Sequence, residues 1–127
     1  MRETCDELAR LKQRCHAISL QDRAEAWNTE WLATIELGFQ LDVARAMAHS
    51  ALERRESRGA HQRLDGYTER DDANFLHHTL AHYQGESVPR IAYSDVVITH
   101  SPPGTRAYGA AGEAADHERR REEAANA

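Results

Sequence analysis

Residues 28–57 constrain the fold more than any other stretch. Leu32, Ile35, Phe39, Val43 and Met47 recur at helical spacing and form one apolar stripe. Leu37, Leu41, Ala44, Ala48 and Ala51 form a second stripe on another side. A helix that is apolar on two sides needs cover on two sides. Asn28 is a good N-cap. Trp27 before it and Leu32 after it have hydrophobic-staple spacing. The pattern predicts a helix from Thr29 to about Ser57, roughly 40 Å long at ~1.5 Å per residue. Gly38 is the place for it to loosen or bend, since an interior glycine costs ~1 kcal/mol relative to alanine.

The residues before it supply one cover. Met1, Cys5, Leu8, Leu11, Cys15 and Ile18 make the single apolar stripe of a surface helix ending near His16. Such a helix covers one stripe only. The alanine-rich second stripe permits close approach and is expected to need a partner surface; the alternative is that a later hairpin covers it. Cys5 and Cys15 lie ~15 Å apart along one helix. That is beyond disulfide reach, so both are expected free, as in a reducing cytosol.

Past the long helix the chain reads "ESRGAHQRLD" (56–65), dense in ionisable groups around Gly59. Gly59 is placed as a left-handed residue just after the helix. Asp65-Gly66 is a turn pair. Thr68 with Asp71 resembles a capping box for a single helical turn. Residues 74–83 read either way, with low β-branched content, and strand is preferred; with "QGESVP" as a turn and 90–100 as the clearest strand they give a small β-ribbon. Pro102-Pro103-Gly104 breaks any regular element. Residues 110–127 lack large apolar side chains and are expected to be a flexible charged tail.

The 127 residues suit one domain or part of one, and their net charge of −5 with interleaved arginines excludes a basic nucleic-acid footprint. Apolar residues make up 40% and aromatics 6%, modest for a self-contained core. Met1 is followed by a charged amphipathic start, which gives no signal-peptide pattern, and no run approaches the ~20 apolar residues of a membrane span. No glycine-rich phosphate or dinucleotide motif occurs. His77, His78 and His82 form an HHxxxH cluster. On a strand, His78 and His82 stand ~13 Å apart, so ordinary exposed histidines are expected and no metal site. Cys15-His16 is a sequence neighbourhood, not a catalytic dyad. Arg54, Arg55, Arg58 and Arg63 with His61 could clamp an anion, but Glu53 and Glu56 lie among them. Ion pairing at a helix end is therefore expected.

Three segments carry a family resemblance: "NTEWLATIELG", "MAHSALERRESRGAHQRLDGYTERDDANFLHHTLAHY" and "YSDVVITHSPPGTRAYG". They resemble the C-terminal helical domain of the fumarate reductase and succinate dehydrogenase flavoproteins, with the fumarate reductase branch closer. L-aspartate oxidase is more loosely similar. The resemblance runs from about Met1 to Gly109. It implies a mostly α fold: a helical hairpin, part of a spectrin-repeat-like three-helix bundle, then a small β-ribbon and an irregular C-terminal tail. The implied domains are 1–109, with two helices in 1–57 and irregular plus β structure in 58–109, and the tail 110–127.

For the parent, the resemblance implies an oxidoreductase that interconverts fumarate and succinate with FAD. Electrons would pass to an iron–sulfur subunit at the cytoplasmic face of a membrane. The flavin-linked and substrate-binding residues of that family lie upstream of the resembling region, so no catalytic, FAD-binding or metal residue is expected here. The expected partners are the flavin-domain portion and, through it, the iron–sulfur subunit, with no nucleic acid and no membrane insertion. The bundle's first helix is expected to lie outside this sequence. His77 stands where the family often has lysine, and the loop at Gly66 is shortened. Glu56, Arg58, Gly59, His61 and Arg63 are the expected domain-docking residues. The alternative is a freestanding helical interaction module or an inactive remnant.

Overall fold

The computed structural model describes residues 1–100 together with 117, 118 and 121. It divides into two compact units, Met1–Val96 and Val97–Ala127. The expected break at Pro102-Pro103-Gly104 and most of the expected tail lie outside the described residues. In the second unit Val97 and Ile98 are exposed, and His117, Glu118 and Arg121 are helical.

The first unit is mostly α with a two-stranded antiparallel sheet. Its elements are α1 (Arg2–Cys15), α2 (Thr29–Glu53), α3 (Asp72–Phe75), β1 (His77–His82) and β2 (Arg90–Asp95). Asn28 caps α2 as read from the sequence: its side chain accepts from the Trp31 amide at 2.8 Å. Gly38 does not break the helix. Its carbonyl accepts from Lys12 Nζ of α1 at 3.3 Å. Met1–Glu3 line a recess with Leu52 and Glu53, so α1 starts beside the end of α2 and the two run antiparallel.

The staple does not form. Trp27 has φ 58° and is 95% exposed, because the left-handed turn sends its indole into solvent. The short helix is capped by Asp71 rather than Thr68, the Asp71 side chain accepting from the Asn74 amide. Both strands are shorter than expected. Asn74 and Phe75 go to α3, and β2 ends at Asp95, opposite the first residue of β1.

Among the described residues Cys5 and Leu41 are the buried apolar ones, and Lys12 and Arg45 are buried as well. Lys12 Nζ pairs with Asp42 Oδ1 at 3.0 Å, an electrostatic contact without hydrogen-bond angles. Arg45 donates to the carbonyls of Glu86 and Ser87, both at 2.9 Å, and so anchors the ribbon's turn to α2. Cys5 and Cys15 are free, and burial pushes the Cys5 thiol pKa up.

The stripe expected to lie open is the covered one. Leu41 is buried and Ala44, Ala48 and Ala51 are half-buried, with Leu37 38% exposed at that stripe's start, while Leu32, Phe39, Val43 and Met47 of the other stripe are 50%, 66%, 59% and 67% exposed and its Ile35 is half-buried. The physical reason is approach distance: small side chains let α1 and the ribbon pack close, and the bulky stripe is left outside.

Candidate functional site

The joint between α2 and the ribbon is built around one carboxylate. Glu56 has 0% exposure. Its Oε1 accepts from Arg54 Nη1 at 2.7 Å and Arg58 Nε at 2.8 Å. Its Oε2 accepts from Arg58 Nη2 and from the Asp71 amide, each at 2.9 Å. Burial pushes the carboxyl pKa up. The hydrogen bonds from Arg58 and the Asp71 amide and the charges of Arg58 and Arg54 outweigh it, holding the group below its ordinary 4.5.

Each arginine carries the network to another element. Arg54 also donates to the carbonyls of Phe75, at 3.1 Å, and His77, at 2.6 Å, fixing the start of β1. Arg58 reaches Asp72 Oδ1 at 2.5 Å. The hydrogen bond to Glu56 raises the Arg58 pKa further. Hydrogen bonds from Arg70 and then Arg58 hold Asp72 at about 2.

A second cluster ends the helix. α2 stops at Glu53, short of the expected Ser57, because Arg54 turns extended. Arg63, 5% exposed, donates through Nη1 to the carbonyls of Ala51, Leu52 and Arg54 at 2.9, 3.2 and 3.0 Å. A guanidinium thus satisfies the helix-end acceptors that a Gly59 cap would otherwise address. Asp65 holds Arg63 by two bonds, at 2.7 and 2.5 Å. Ser57 Oγ accepts from the Arg63 amide at 2.8 Å and donates to the Tyr67 carbonyl at 2.8 Å.

Gly59 is left-handed as expected but does not directly follow the helix, which ends at Glu53. Its φ of 58° closes a tight turn in which Arg58 and His61 exchange backbone hydrogen bonds of 2.8 and 3.0 Å. His61 Nε2 lies 3.1 Å from the Arg54 carbonyl, so Nε2 carries a proton and donates. Of the five expected docking residues, Glu56 and Arg63 are buried inside this chain, Arg58 and His61 are half-buried and Gly59 is exposed. Arg54 and Arg58 are directed at Glu56 and Arg63 at Asp65, so these three do not converge on an empty anion site.

The sequence did not single out Arg54 as the bridge to β1, nor Ser57, Asp71 and Asp72 as joint residues. The alternating signs of "ERRESR" were the available signal. His77 packs against Tyr93 and Phe75 at ring distances of 4.2 and 5.7 Å, while His78 and His82 lie on the opposite, exposed face. Among the described residues no group of three or more histidines, cysteines or acids is placed to hold a metal. No described helix is long and apolar enough to cross a membrane.

Fold and joint define a helical hairpin clipped by a buried charge network to a short β-ribbon. Residues 1–108 match the family described as "Fumarate reductase flavoprotein C-term", and the chain belongs to that family. It is 57% identical over 127 residues to a fumarate reductase flavoprotein subunit of a Serratia species, covering 99% of this chain and 21% of that protein. A mitochondrial succinate dehydrogenase flavoprotein of Oryza sativa is 36% identical over 115 residues, 85% of this chain and 18% of that protein. The fumarate reductase relative is the more similar of the two, as the sequence motifs indicated. A solved variant of Escherichia coli quinol fumarate reductase FrdA matches with a TM-score of 0.77 and 52% identity over 82% of this chain and 18% of that one. The chain therefore spans about a fifth of the length of the relatives it matches.

Proposed function

We propose that this chain provides packing and assembly as the C-terminal domain of a fumarate reductase flavoprotein subunit. The whole flavoprotein would interconvert fumarate and succinate with FAD and pass electrons to an iron–sulfur subunit at the cytoplasmic face of a membrane. In this reading α1 and α2 are two helices of a three-helix bundle. The domain extends over 1–109, and 110–127 is a charged tail. FAD and substrate are held by other parts of the flavoprotein.

The match of residues 1–108 to the flavoprotein C-terminal family carries the reading. The joint supports it. Its buried groups are committed to one another, and of the five residues those left outward are Gly59 and the edges of Arg58 and His61, which form a corner. Glu56 and Arg63 hold that corner in shape from within, and the corner docks on the flavin domain. Co-expression with the N-terminal portion of the Serratia flavoprotein tests this. A stable 1:1 complex that reduces fumarate is expected. Full fumarate reduction by the N-terminal portion alone, with no complex formed, would overturn it.

A further inference from the structure

The turn beyond Arg63 holds a reactive pair. Asp65-Gly66 is the one Asp-Gly or Asn-Gly step in the sequence. Gly66 has no Cβ to screen its amide nitrogen, and that nitrogen can close a five-membered ring on the Asp65 carboxyl carbon. Asp65 and Gly66 are exposed, and a Cβ added at Gly66 would meet nothing within 4 Å, so water reaches the pair. Two contacts stand against closure. Buried Arg63 grips both carboxylate oxygens, Nε to Oδ1 at 2.7 Å and Nη2 to Oδ2 at 2.5 Å. Its guanidinium is fixed in turn by the carbonyls of Ala51, Leu52 and Arg54 and lies 5.2 Å from the Tyr67 ring centre. The hydrogen bonds from Arg63 hold the Asp65 carboxyl below its ordinary 3.8. Ring closure needs the opposite: a carboxyl that turns its carbon to the next amide and takes a proton, so that an oxygen leaves as water. The second contact is Ser57 Oγ. It accepts from the Arg63 amide and donates to the Tyr67 carbonyl, both at 2.8 Å, so one hydroxyl ties both ends of the turn and opposes rotation between them.

We infer that Asp65-Gly66 is a spontaneous modification site that the Arg63 grip keeps closed, and that its product, isoaspartate, undoes the end of α2. The Gly66 nitrogen forms a bond to Asp65 Cγ, a Cγ–O bond breaks, and the hydroxyl leaves with the amide hydrogen as water. Hydrolysis of the resulting succinimide returns the water. Opening at the α-carbonyl carbon sends the main chain through Cγ and leaves the α-carboxylate free. No electrons are exchanged. The main chain is then one methylene longer and the carboxylate has left its place before Arg63. A buried guanidinium without its carboxylate is costly, so the hold on the three helix-end carbonyls loosens with it. The freed α-carboxylate is of the class that protein isoaspartyl methyltransferases esterify, with the methyl group coming from the sulfonium of S-adenosylmethionine. The site works in this way whether or not the chain docks on a flavin domain.

The test ages the full chain in neutral buffer, folded and in urea. Isoaspartate at Asp65 is counted by peptide mapping and by labelled methyl transfer from S-adenosylmethionine with an isoaspartyl methyltransferase. Folded wild type should form it about tenfold or more slowly than the unfolded chain. Arg63→Met, shown to be folded by circular dichroism, should form it about tenfold faster than folded wild type. Glu56→Gln loosens the joint but leaves the Arg63 grip, and should age at close to the wild-type rate. The isoaspartyl chain, separated from unaged wild type by chromatography, should melt with the lowered midpoint of Arg63→Met. Should Arg63→Met fail to fold, Arg63→Lys takes its place with the same expected direction, because it keeps the charge and loses the two-point grip. Equal rates in folded and unfolded wild type overturn the closed site whatever the variants do. A folded Arg63 variant that ages no faster than wild type, or Glu56→Gln ageing as fast as that variant, overturns the role of the grip. An isoaspartyl chain with the wild-type midpoint overturns the link to the end of α2.

Discussion

Replacing Glu56 by glutamine is the sharpest perturbation of the joint. The carboxylate places two acceptor oxygens before four N–H donors: two arginine donors at Oε1, one arginine donor and one amide at Oε2. Glutamine keeps one acceptor and turns the other into a donor. In either orientation its NH2 group faces two N–H groups. Removing one partner of a buried ion pair costs ~3–5 kcal/mol. Two features reduce that here. Arg54 keeps the Phe75 and His77 carbonyls and Arg58 keeps Asp72. Their side chains are also 15% and 27% exposed. The expected loss is therefore ~2–4 kcal/mol.

Urea unfolding followed by circular dichroism measures it. With m of ~1–1.5 kcal/mol/M the midpoint should fall by roughly 2 M. The exposed Glu53→Gln is the control and should shift the midpoint by less than ~0.5 kcal/mol equivalent. The pH dependence has a definite sign. The folded Glu56 pKa is depressed, so its stabilisation is complete above the ordinary 4.5 and is lost as pH falls through the folded value. The glutamine variant lacks that part of the acid dependence and should lose stability less steeply below pH 4.5. A glutamine variant as stable as the Glu53 control would refute the joint's central carboxylate.

Three further outcomes follow from the same geometry. Arg63→Met leaves the carbonyls of Ala51 and Leu52 without their guanidinium donor and that of Arg54 with His61 alone, and should cost ~2–3 kcal/mol in the same melt. Gly59→Ala meets no atom within 4 Å but must adopt φ 58°, so it should fold and lose only ~1–2 kcal/mol. Asn28→Ala removes the cap on the Trp31 amide and should cost ~1 kcal/mol, with faster hydrogen exchange confined to the first turn of α2.

Periodicity located α1 and α2, because a 3.6-residue repeat survives in the sequence whatever packs on it, while the ribbon was read from β-branched content in 90–100 and the turn residues before it. Asn28 was legible for the same local reason. Where α2 ends was not. The usual signal is a glycine at C′, but here Arg63, nine positions beyond Arg54, takes the carbonyls, and that long-range contact leaves no spacing rule to read. The open stripe was misassigned because hydropathy ranks Phe39 and Met47 as wanting cover. Approach distance instead favoured the alanine side for the neighbours present, so that Leu41 is buried while Phe39 is 66% exposed. In the joint, the residue types were visible and their pairing was not. "ERRESR" states that opposite charges alternate, but which guanidinium meets Glu56 depends on the Gly59 turn and on α3 bringing the Asp71 amide to it.

The central claim is that the flavin chemistry belongs to the partner and the docking surfaces to this chain. Ultraviolet-visible absorbance tests it directly, on the purified chain alone and on its 1:1 complex with the flavoprotein's N-terminal portion. The account predicts a flavin band in the complex and none in the chain alone. A stoichiometric flavin bound to the isolated chain would contradict it.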